Sequence, residues 1–121
     1  MKRICINNRD ELVMLYVDHI AYILADGNYT KIVYIGGMQI VLTLGISKVE
    51  KILLGSFENK QICPFVRLGR SLIISQQYLY NINIVKQTLS LSDGLKNCLT
   101  LRLPKQLLKS YKTQLTKTTI N

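Results

Sequence analysis

The sequence has little of what most enzyme sites require. Its 121 residues include one histidine, His19, and three cysteines, Cys5, Cys63 and Cys98, without the paired spacing of a zinc or redox site. Hydrolytic triads and cysteine nucleophiles usually need a histidine base, and the setting of His19 is typical of an ordinary turn or surface residue. We therefore expect no enzymatic activity, no catalytic residue, no cofactor and no metal, with reduced cysteines in the core.

Long apolar segments are also missing. No run approaches the roughly 18 residues of a membrane span, and the chain start does not resemble a signal sequence, so we expect a cytoplasmic protein without membrane insertion. Repeats, low-complexity tracts and linkers are absent as well. The length and the 48% hydrophobic content predict one domain over residues 1–121.

Acidic residues are scarce: seven Asp and Glu stand against sixteen Lys and Arg, which gives a formal net charge of +9. This excess indicates a polyanionic partner, either nucleic acid or an anionic membrane surface, although some soluble proteins are simply basic. Asp93 is the last acidic residue, and the chain beyond it is strongly cationic. Its basic residues are Lys96, Arg102, Lys105, Lys109, Lys112 and Lys117.

What the sequence does contain is alternating apolar residues separated by turn signals. Hairpins are predicted around residues 7–10, 26–27, 36–37 and 93–94, and the run YLYNINIV at 78–85 also has strand character. Because these runs follow one another directly, antiparallel sheets are favoured over βαβ units. The fold class predicted is mainly β with two short helices.

The first helix is predicted in SKVEKILLG, where Ser47 would cap, Glu50 would be its capping-box partner and Gly55 would end the helix. The second begins near Pro104. Its apolar stripe consists of Leu107, Leu108, Tyr111 and Leu115, opposite Lys105, Lys109 and Lys112.

The stretch FVRLGRSLIIS, residues 65–75, places Arg67 and Arg70 three residues apart without an acidic neighbour. On one continuous strand they would point to opposite faces, so we expect Gly69 to mark a bend, regular pairing to begin after it, and both guanidinium groups to lie at an exposed strand end. Forked donors there suit phosphate or guanine. The alternative is a structural role, in which the arginine donates hydrogen bonds to loop carbonyls. This alternative is stronger for Arg67 than for Arg70.

Lys105 is expected in the first turn of the second helix. A cation there opposes the helix macrodipole by about 0.3–1 kcal/mol, and an approaching phosphate would turn this penalty into attraction. Lys109 and Lys112 fit the same cationic surface, with an ordinary solvated helix face as the alternative.

Three segments taken in order resemble the LytTR-type DNA-binding domain of LytR- and AlgR-like bacterial transcription regulators. They are IAYILADGNYTKIVYI, SFENKQICPFVRLGRSLIIS and TLRLPKQLLKSYK. The resemblance implies elongated antiparallel β-sheets with two short helices, in a single LytTR-type domain over 1–121 without a receiver domain in this chain. It also implies sequence-specific duplex DNA binding, with loops that read successive major grooves at imperfect direct repeats.

Carried over residue by residue, the resemblance places DNA contacts at the ADGNY turn, at the second arginine with its serine, and at the start of the last helix, with Arg67 in a supporting phosphate shell. Charge placement adds Lys109. The expected DNA-binding residues are Thr30, Lys31, Arg67, Arg70, Ser71, Lys105 and Lys109.

The sequence departs from the family pattern before Arg70 and at the start of the last helix. Gly69 replaces a frequent histidine, and Pro104 with Lys105 replaces a serine-arginine pair. Lysine lacks the forked donors of arginine. At the start of the last helix we therefore expect weaker discrimination between bases and stronger affinity for phosphate. The family's two-component response regulators imply a sensor kinase or membrane regulator as partner, and a homodimer on DNA.

Two other functions fit the residues. RNA or single-strand binding would need several exposed rings on one sheet face, and a membrane-surface or protein-interaction module would use the lysine-rich end. The tyrosines that could stack on bases are Tyr16, Tyr22, Tyr29, Tyr34, Tyr78, Tyr80 and Tyr111.

Overall fold

The computed structural model describes residues 2–58 and 62–117. This part of the chain forms ten β-strands, two α-helices and two short 3-10 helices, at Val17–His19 and Gln76–Tyr78. The strands are β1 Arg3–Asn7, β2 Leu12–Tyr16, β3 Ile20–Asp26, β4 Tyr29–Tyr34, β5 Gln39–Leu42, β6 Phe65–Leu68, β7 Leu72–Ser75, β8 Leu79–Asn83, β9 Thr88–Ser92 and β10 Cys98–Arg102; the helices are α1 Ile46–Gly55 and α2 Lys105–Thr116.

The chain divides into two compact units, Met1–Gln76 and Gln77–Asn121. The first unit contains a five-stranded sheet in the order β5-β4-β3-β7-β6 and the two-stranded sheet β1-β2, all antiparallel. Its apolar core includes residues from both sheets and from α1, and each large aliphatic side chain buried there contributes about 1.5–3 kcal/mol. Fully buried members include Ile6, Leu15, Ile23, Ile32, Val49, Leu53 and Ile73.

The predicted hairpins at residues 7–10, 26–27 and 36–37 are confirmed, as β1-β2, β3-β4 and β4-β5. Gly27 and Gly37 adopt φ values of 61° and 101°. Residues with a Cβ rarely adopt such angles, which explains why glycine marks these turns.

The expectation of regular pairing only after Gly69 is wrong. Residues 65–68 already form β6, which pairs with β7 in the register Phe65↔Ser75 to Leu68↔Leu72. Gly69 has φ 76° and lies in the turn of a tight hairpin, so the glycine reverses the chain where a bend in one strand was expected.

The predicted capping of α1 is also wrong. The helix begins at Ile46 after Gly45, which makes no side-chain capping bond, and Ser47 lies inside the first turn. Starting at Ile46 places Ile46, Val49 and Leu53 on one buried face, and this burial outweighs the benefit of a serine cap, which is about 1 kcal/mol.

The second unit contains the three-stranded antiparallel sheet β10-β9-β8 and α2. The predicted hairpin at residues 93–94 is confirmed as β9-β10, and α2 contacts β8. The predicted apolar stripe of α2 is buried at Leu108 and Tyr111. Burial raises the pKa of the Tyr111 hydroxyl to about 12.

The cysteines are free thiols, but the expected core positions are wrong. Cys5 and Cys98 are exposed and Cys63 is partly exposed. Cys5 and Cys98 lie on strands with one outward face, and the alternation of side chains along a strand places both on that face.

Candidate nucleic-acid interface

The β6-β7 turn of the first unit presents Arg70 and Ser71 to solvent. The backbone oxygen of Ser71 accepts a hydrogen bond from the Ala25 amide at 2.8 Å. Ala25 pairs with Thr30 near the β3-β4 turn, so β3 fixes the two turns at the same end of the five-stranded sheet. An exposed turn anchored to the central strand can present a side chain in a defined position.

Arg67 makes three hydrogen bonds inside this unit. Its Nε donates to the Gly69 carbonyl at 3.2 Å and its Nη2 to the Arg70 carbonyl at 2.6 Å. Its Nη1 donates to Glu50 Oε1 at 2.8 Å, which also forms an ion pair between β6 and α1. Arg67 therefore holds the backbone of the turn, as the structural alternative described, rather than extending into solvent for a phosphate.

Arg70 is in a different situation. Its backbone oxygen is held by Arg67, while its side chain is exposed. Within residues 2–58 and 62–117 no hydrogen-bond or ion-pair partner of the Arg70 guanidinium is present. The five donors of the guanidinium are thus available to a ligand.

Thr30 and Lys31 are adjacent on β4 but differ in exposure. Thr30 is fully buried and its hydroxyl donates to the Leu44 carbonyl at 2.6 Å, so this side chain supports the chain before α1 and does not face solvent. Lys31 points to the opposite face, between Leu24 on β3 and Val41 on β5, and is partly exposed. Only Lys31 of this pair is placed to meet a ligand.

In the second unit, α2 carries Lys105, Lys109 and Lys112 on its exposed face. The helix has no acidic residue in its first turn, and Pro104 at its N-cap provides no side-chain bond to the first amides. The helix start therefore combines a lysine with the positive end of the helix dipole, a combination that attracts anions. Arg102 and Lys96 are also exposed in this unit.

The tyrosines are divided among separate sheets. The three most exposed rings are Tyr16 on β2, Tyr29 on β4 and Tyr80 on β8, and these strands belong to three different sheets. Tyr34 and Tyr111 are buried. A row of stacking rings on one sheet face, which single-strand binding would need, is therefore not formed by these residues.

Sequence reasoning missed Glu50 as the partner of Arg67. The spacing from Ser47 predicts a capping-box role for Glu50. In the structure its partner is Arg67, which lies 17 residues further along the chain. The sequence offers one indirect signal, since Glu50 falls on the same side of α1 as the buried Val49 and Leu53 and so lies at the border of the core.

Other kinds of site find no support in the described residues. Among residues 2–58 and 62–117 there is no group of three or more His, Cys, Asp or Glu that could hold a metal ion. None of the helices described there is long and apolar enough to cross a membrane. His19 makes ring contacts with Tyr16 and Tyr34 at centroid distances of 5.8 and 5.9 Å.

These features define a mainly antiparallel β protein with two helices and cationic, solvent-facing turns. No family model matches the sequence, and no curated protein matches it. Among solved structures, the chain is similar to a LytTr DNA-binding domain from Bacillus cereus, with a TM-score of 0.59 and 14% identity, over 95% of this chain and 97% of that one. The chain therefore has the LytTR-type fold, as the sequence predicted.

Proposed function

We propose that this chain is a bacterial transcription regulator that binds duplex DNA in a sequence-specific manner. The observation that carries the proposal is the exposed guanidinium of Arg70 on a turn whose carbonyls are held by Arg67. An arginine presented in this way matches the two acceptors of guanine in the major groove. The Bacillus cereus structure, described as a DNA-binding domain, supports the same class of ligand.

The roles of the remaining predicted residues follow from their chemistry. Ser71 beside Arg70 and Lys31 on β4 would contact the duplex near the base that Arg70 reads. Lys105 and Lys109 on α2 would neutralise phosphates, because a lysine is a flexible point charge without the geometry of a fork. Thr30 and Arg67 would support the interface without touching DNA.

The finer parts of the proposal concern the operator and the setting. The resemblance in sequence suggests loops that read successive major grooves at imperfect direct repeats, and regulation through a sensor kinase or a membrane regulator. A regulator of this type acts on DNA in the cytoplasm, and no enzymatic step is needed for the activity proposed.

Selection from a random duplex DNA library at physiological salt tests the proposal. Non-specific attraction of a +9 protein is largely suppressed under those conditions. Enrichment of a short direct repeat is expected. Failure to enrich any sequence, with retention of duplexes only at low salt, would contradict sequence-specific reading.

A competition experiment distinguishes the alternatives. The selected duplex is expected to displace a single strand of equal length, and anionic vesicles of phosphatidylserine are expected not to compete at the same charge concentration. Preference for the single strand would favour RNA or single-strand binding, and competition by the vesicles would favour a membrane-surface module.

A further inference from the structure

The connection between β8 and β9 in the second unit presents an aliphatic side chain and a cation to solvent. The two strands meet at the pair Asn83↔Thr88, so residues 84–87 form the turn that joins them, named the β8-β9 turn below. In this turn Val85 is 89% exposed and Lys86 is exposed as well. One exposed valine needs no explanation by itself, so a role for this pair depends on how the turn is held and on what surrounds it.

The backbone of the β8-β9 turn is strained. Gln87 has a φ of 55°, and within residues 2–58 and 62–117 it is the one residue other than glycine with a positive φ. Glycine adopts such an angle readily, so a residue with a Cβ stands here against the local preference. Outliers of this kind persist where surrounding contacts fix them, and they are concentrated at segments that contact ligands.

Three hydrogen bonds fix this turn. The Lys86 amide donates to Asn83 Oδ1 at 2.9 Å, and the Gln87 amide donates to the Ile84 carbonyl at 3.2 Å. The Gln87 carbonyl accepts a hydrogen bond from the Leu103 amide at 3.1 Å, in the segment between β10 and α2. The β8-β9 turn is therefore held in one conformation and tied to the chain just before α2.

The surroundings of the turn are cationic. Arg102 pairs with Thr88, the first residue of β9 after the turn, and Lys105 opens α2 shortly after Arg102. Lys86, Arg102 and Lys105 are all exposed, and none of them has an ion-pair partner in the part of the chain that the structure describes. This end of the second unit thus combines three unpaired cations with one exposed aliphatic side chain.

The acidic residue of this unit lies at the opposite end of β9. Asp93 is the only Asp or Glu in residues 77–121, and its carboxylate accepts hydrogen bonds from the Leu95 amide at 2.8 Å and from the amide and side chain of Asn97 at 3.1 and 2.7 Å. The five residues of β9 span about 13 Å, which exceeds the Debye length of about 8 Å at physiological ionic strength. The charge of Asp93 is therefore largely screened from the β8-β9 turn.

We propose that the β8-β9 turn is a further element that reads duplex DNA, with Val85 on the methyl group of a thymine and Lys86 on a neighbouring phosphate. This inference rests on the duplex binding proposed above and adds a turn that the resemblance in sequence does not include. The end of a two-stranded ribbon fits into the major groove, where thymine alone presents a methyl group. An aliphatic side chain gains free energy by covering that methyl group, and the adjacent ammonium group gains it by contact with the phosphate.

A duplex fits the β8-β9 turn better than a lipid surface does. Binding of an apolar surface to a membrane scales with the apolar area that is buried, and Val85 alone offers little of it. A lipid surface also has no need for a side chain in a defined position, whereas a contact with one base does. The strained and hydrogen-bonded backbone at Gln87 therefore favours the duplex.

Replacement of single thymines by deoxyuridine in the selected duplex tests the base contact, because deoxyuridine lacks only the methyl group. Wild-type affinity is expected to fall about fourfold at one thymine position, the effect of one buried methyl-sized group. Val85→Ala should lose at least as much affinity on the thymine duplex and should not respond to deoxyuridine at that position. Affinity that is independent of deoxyuridine at every thymine, or a response that persists in Val85→Ala, would overturn the proposal.

Leu95→Ala is the matched control for Val85→Ala. Leu95 is 90% exposed on the β9-β10 turn, at the other end of the same sheet. This variant should keep the wild-type affinity and the full response to deoxyuridine. Equal losses in Leu95→Ala and Val85→Ala would show that removal of any exposed aliphatic side chain has this effect, and would overturn the contact.

The salt dependence of binding tests the phosphate contact. Lys86→Ala should weaken the selected and a random duplex alike and reduce the slope of log affinity against log salt by about one. Lys96→Ala, at an exposed lysine beside Leu95, should leave the slope at the wild-type value. An unchanged slope in Lys86→Ala, or an equal change in both variants, would overturn this contact.

The outcomes separate this proposal from the proposed function. If the library selection yields a specific duplex but Val85→Ala and Lys86→Ala behave like wild type, DNA reading stands and the β8-β9 turn has no part in it. If the selection yields no sequence, the thymine contact fails together with the proposed function, while the slope of Lys86→Ala on random duplex still decides the phosphate contact. Urea denaturation should give wild-type stability for both exposed variants, which shows that no loss of affinity results from unfolding.

Discussion

Arg67 Nη1 donates to Glu50 Oε1 at 2.8 Å, so one ion pair connects β6 to α1 beneath the β6-β7 turn. Both side chains are only about a quarter exposed, at 27% and 28%. The same guanidinium holds the carbonyls of Gly69 and Arg70. The position of the exposed Arg70 is thus connected to the helix through three hydrogen bonds of a single neighbour.

Arg70→Ala is expected to cost about 1–3 kcal/mol of binding free energy for the selected duplex and little for random DNA, since base contacts provide discrimination. Titrations of both duplexes by fluorescence anisotropy measure the difference. Equal losses on the two duplexes would contradict base reading by Arg70.

Lys109→Ala is expected to weaken both duplexes alike and to reduce the slope of log affinity against log salt by about one. A titration series over salt concentration gives this slope. Lys51→Ala is a suitable control, because Lys51 is an exposed lysine on α1 without a proposed contact. An unchanged slope in Lys109→Ala would indicate an ordinary solvated helix face.

Arg67→Lys should retain the charge but lose the fork that holds the two carbonyls. We expect it to weaken the selected duplex and to have almost no further effect when Arg70 is already alanine, because Arg67 acts through Arg70. A double-mutant cycle measures this coupling, expected at about 0.5–3 kcal/mol. Additive losses would show that Arg67 touches DNA itself.

Thr30→Val removes the buried hydroxyl that donates to the Leu44 carbonyl and leaves that partly buried carbonyl without this hydrogen bond. The free energy of unfolding should fall by about 1–3 kcal/mol, with DNA affinity of the folded protein unchanged. Urea denaturation and anisotropy give the two values. Thr113→Val, at an exposed threonine of α2 whose hydroxyl makes no hydrogen bond within residues 2–58 and 62–117, should change the unfolding free energy by less than about 0.5 kcal/mol.

The buried hydroxyl of Tyr111 should make the folded protein less stable at alkaline pH. Burial raises the pKa of its hydroxyl from 10 to about 12, so the protonated form is favoured in the folded state. Below pH 10 the hydroxyl is protonated in both the folded and the unfolded state. As the pH rises from 10 towards 12, the unfolded state ionises first, and the free energy of unfolding should fall by about 1–2 kcal/mol. Urea denaturation across this range should show a smaller loss in Tyr111→Phe than in Tyr80→Phe, whose ring is 71% exposed.

Much of the fold follows from local sequence signals. Period-two alternation and turn residues predict the hairpins at residues 26–27 and 93–94, and the spacing from Leu108 to Tyr111 predicts the buried stripe of α2. The start of α1 is not predicted, because burial of Ile46 decides it over the capping preference of Ser47. Tertiary packing overrides a local preference of about 1 kcal/mol.

The candidate site is less predictable than the fold. Composition and spacing identify Arg70 and the lysines of α2 as exposed cations, since little nearby could neutralise them. They cannot show that Thr30 is buried or that Arg67 pairs with Glu50, because both facts depend on which strand lies next to which helix. Charge alone therefore finds cations that face solvent, and only contacts in the folded chain identify the residues that hold them in place.

The start of α2 has a thermodynamic consequence. Its first amides receive no side-chain acceptor from Pro104, so a bound phosphate would complete the hydrogen bonding that the chain leaves open. Ligand occupancy and helix stability then become linked quantities, and DNA should slow hydrogen exchange at the amides of the first turn. Pro104→Ser would give the helix an internal cap worth about 1 kcal/mol and make this turn less dependent on its ligand.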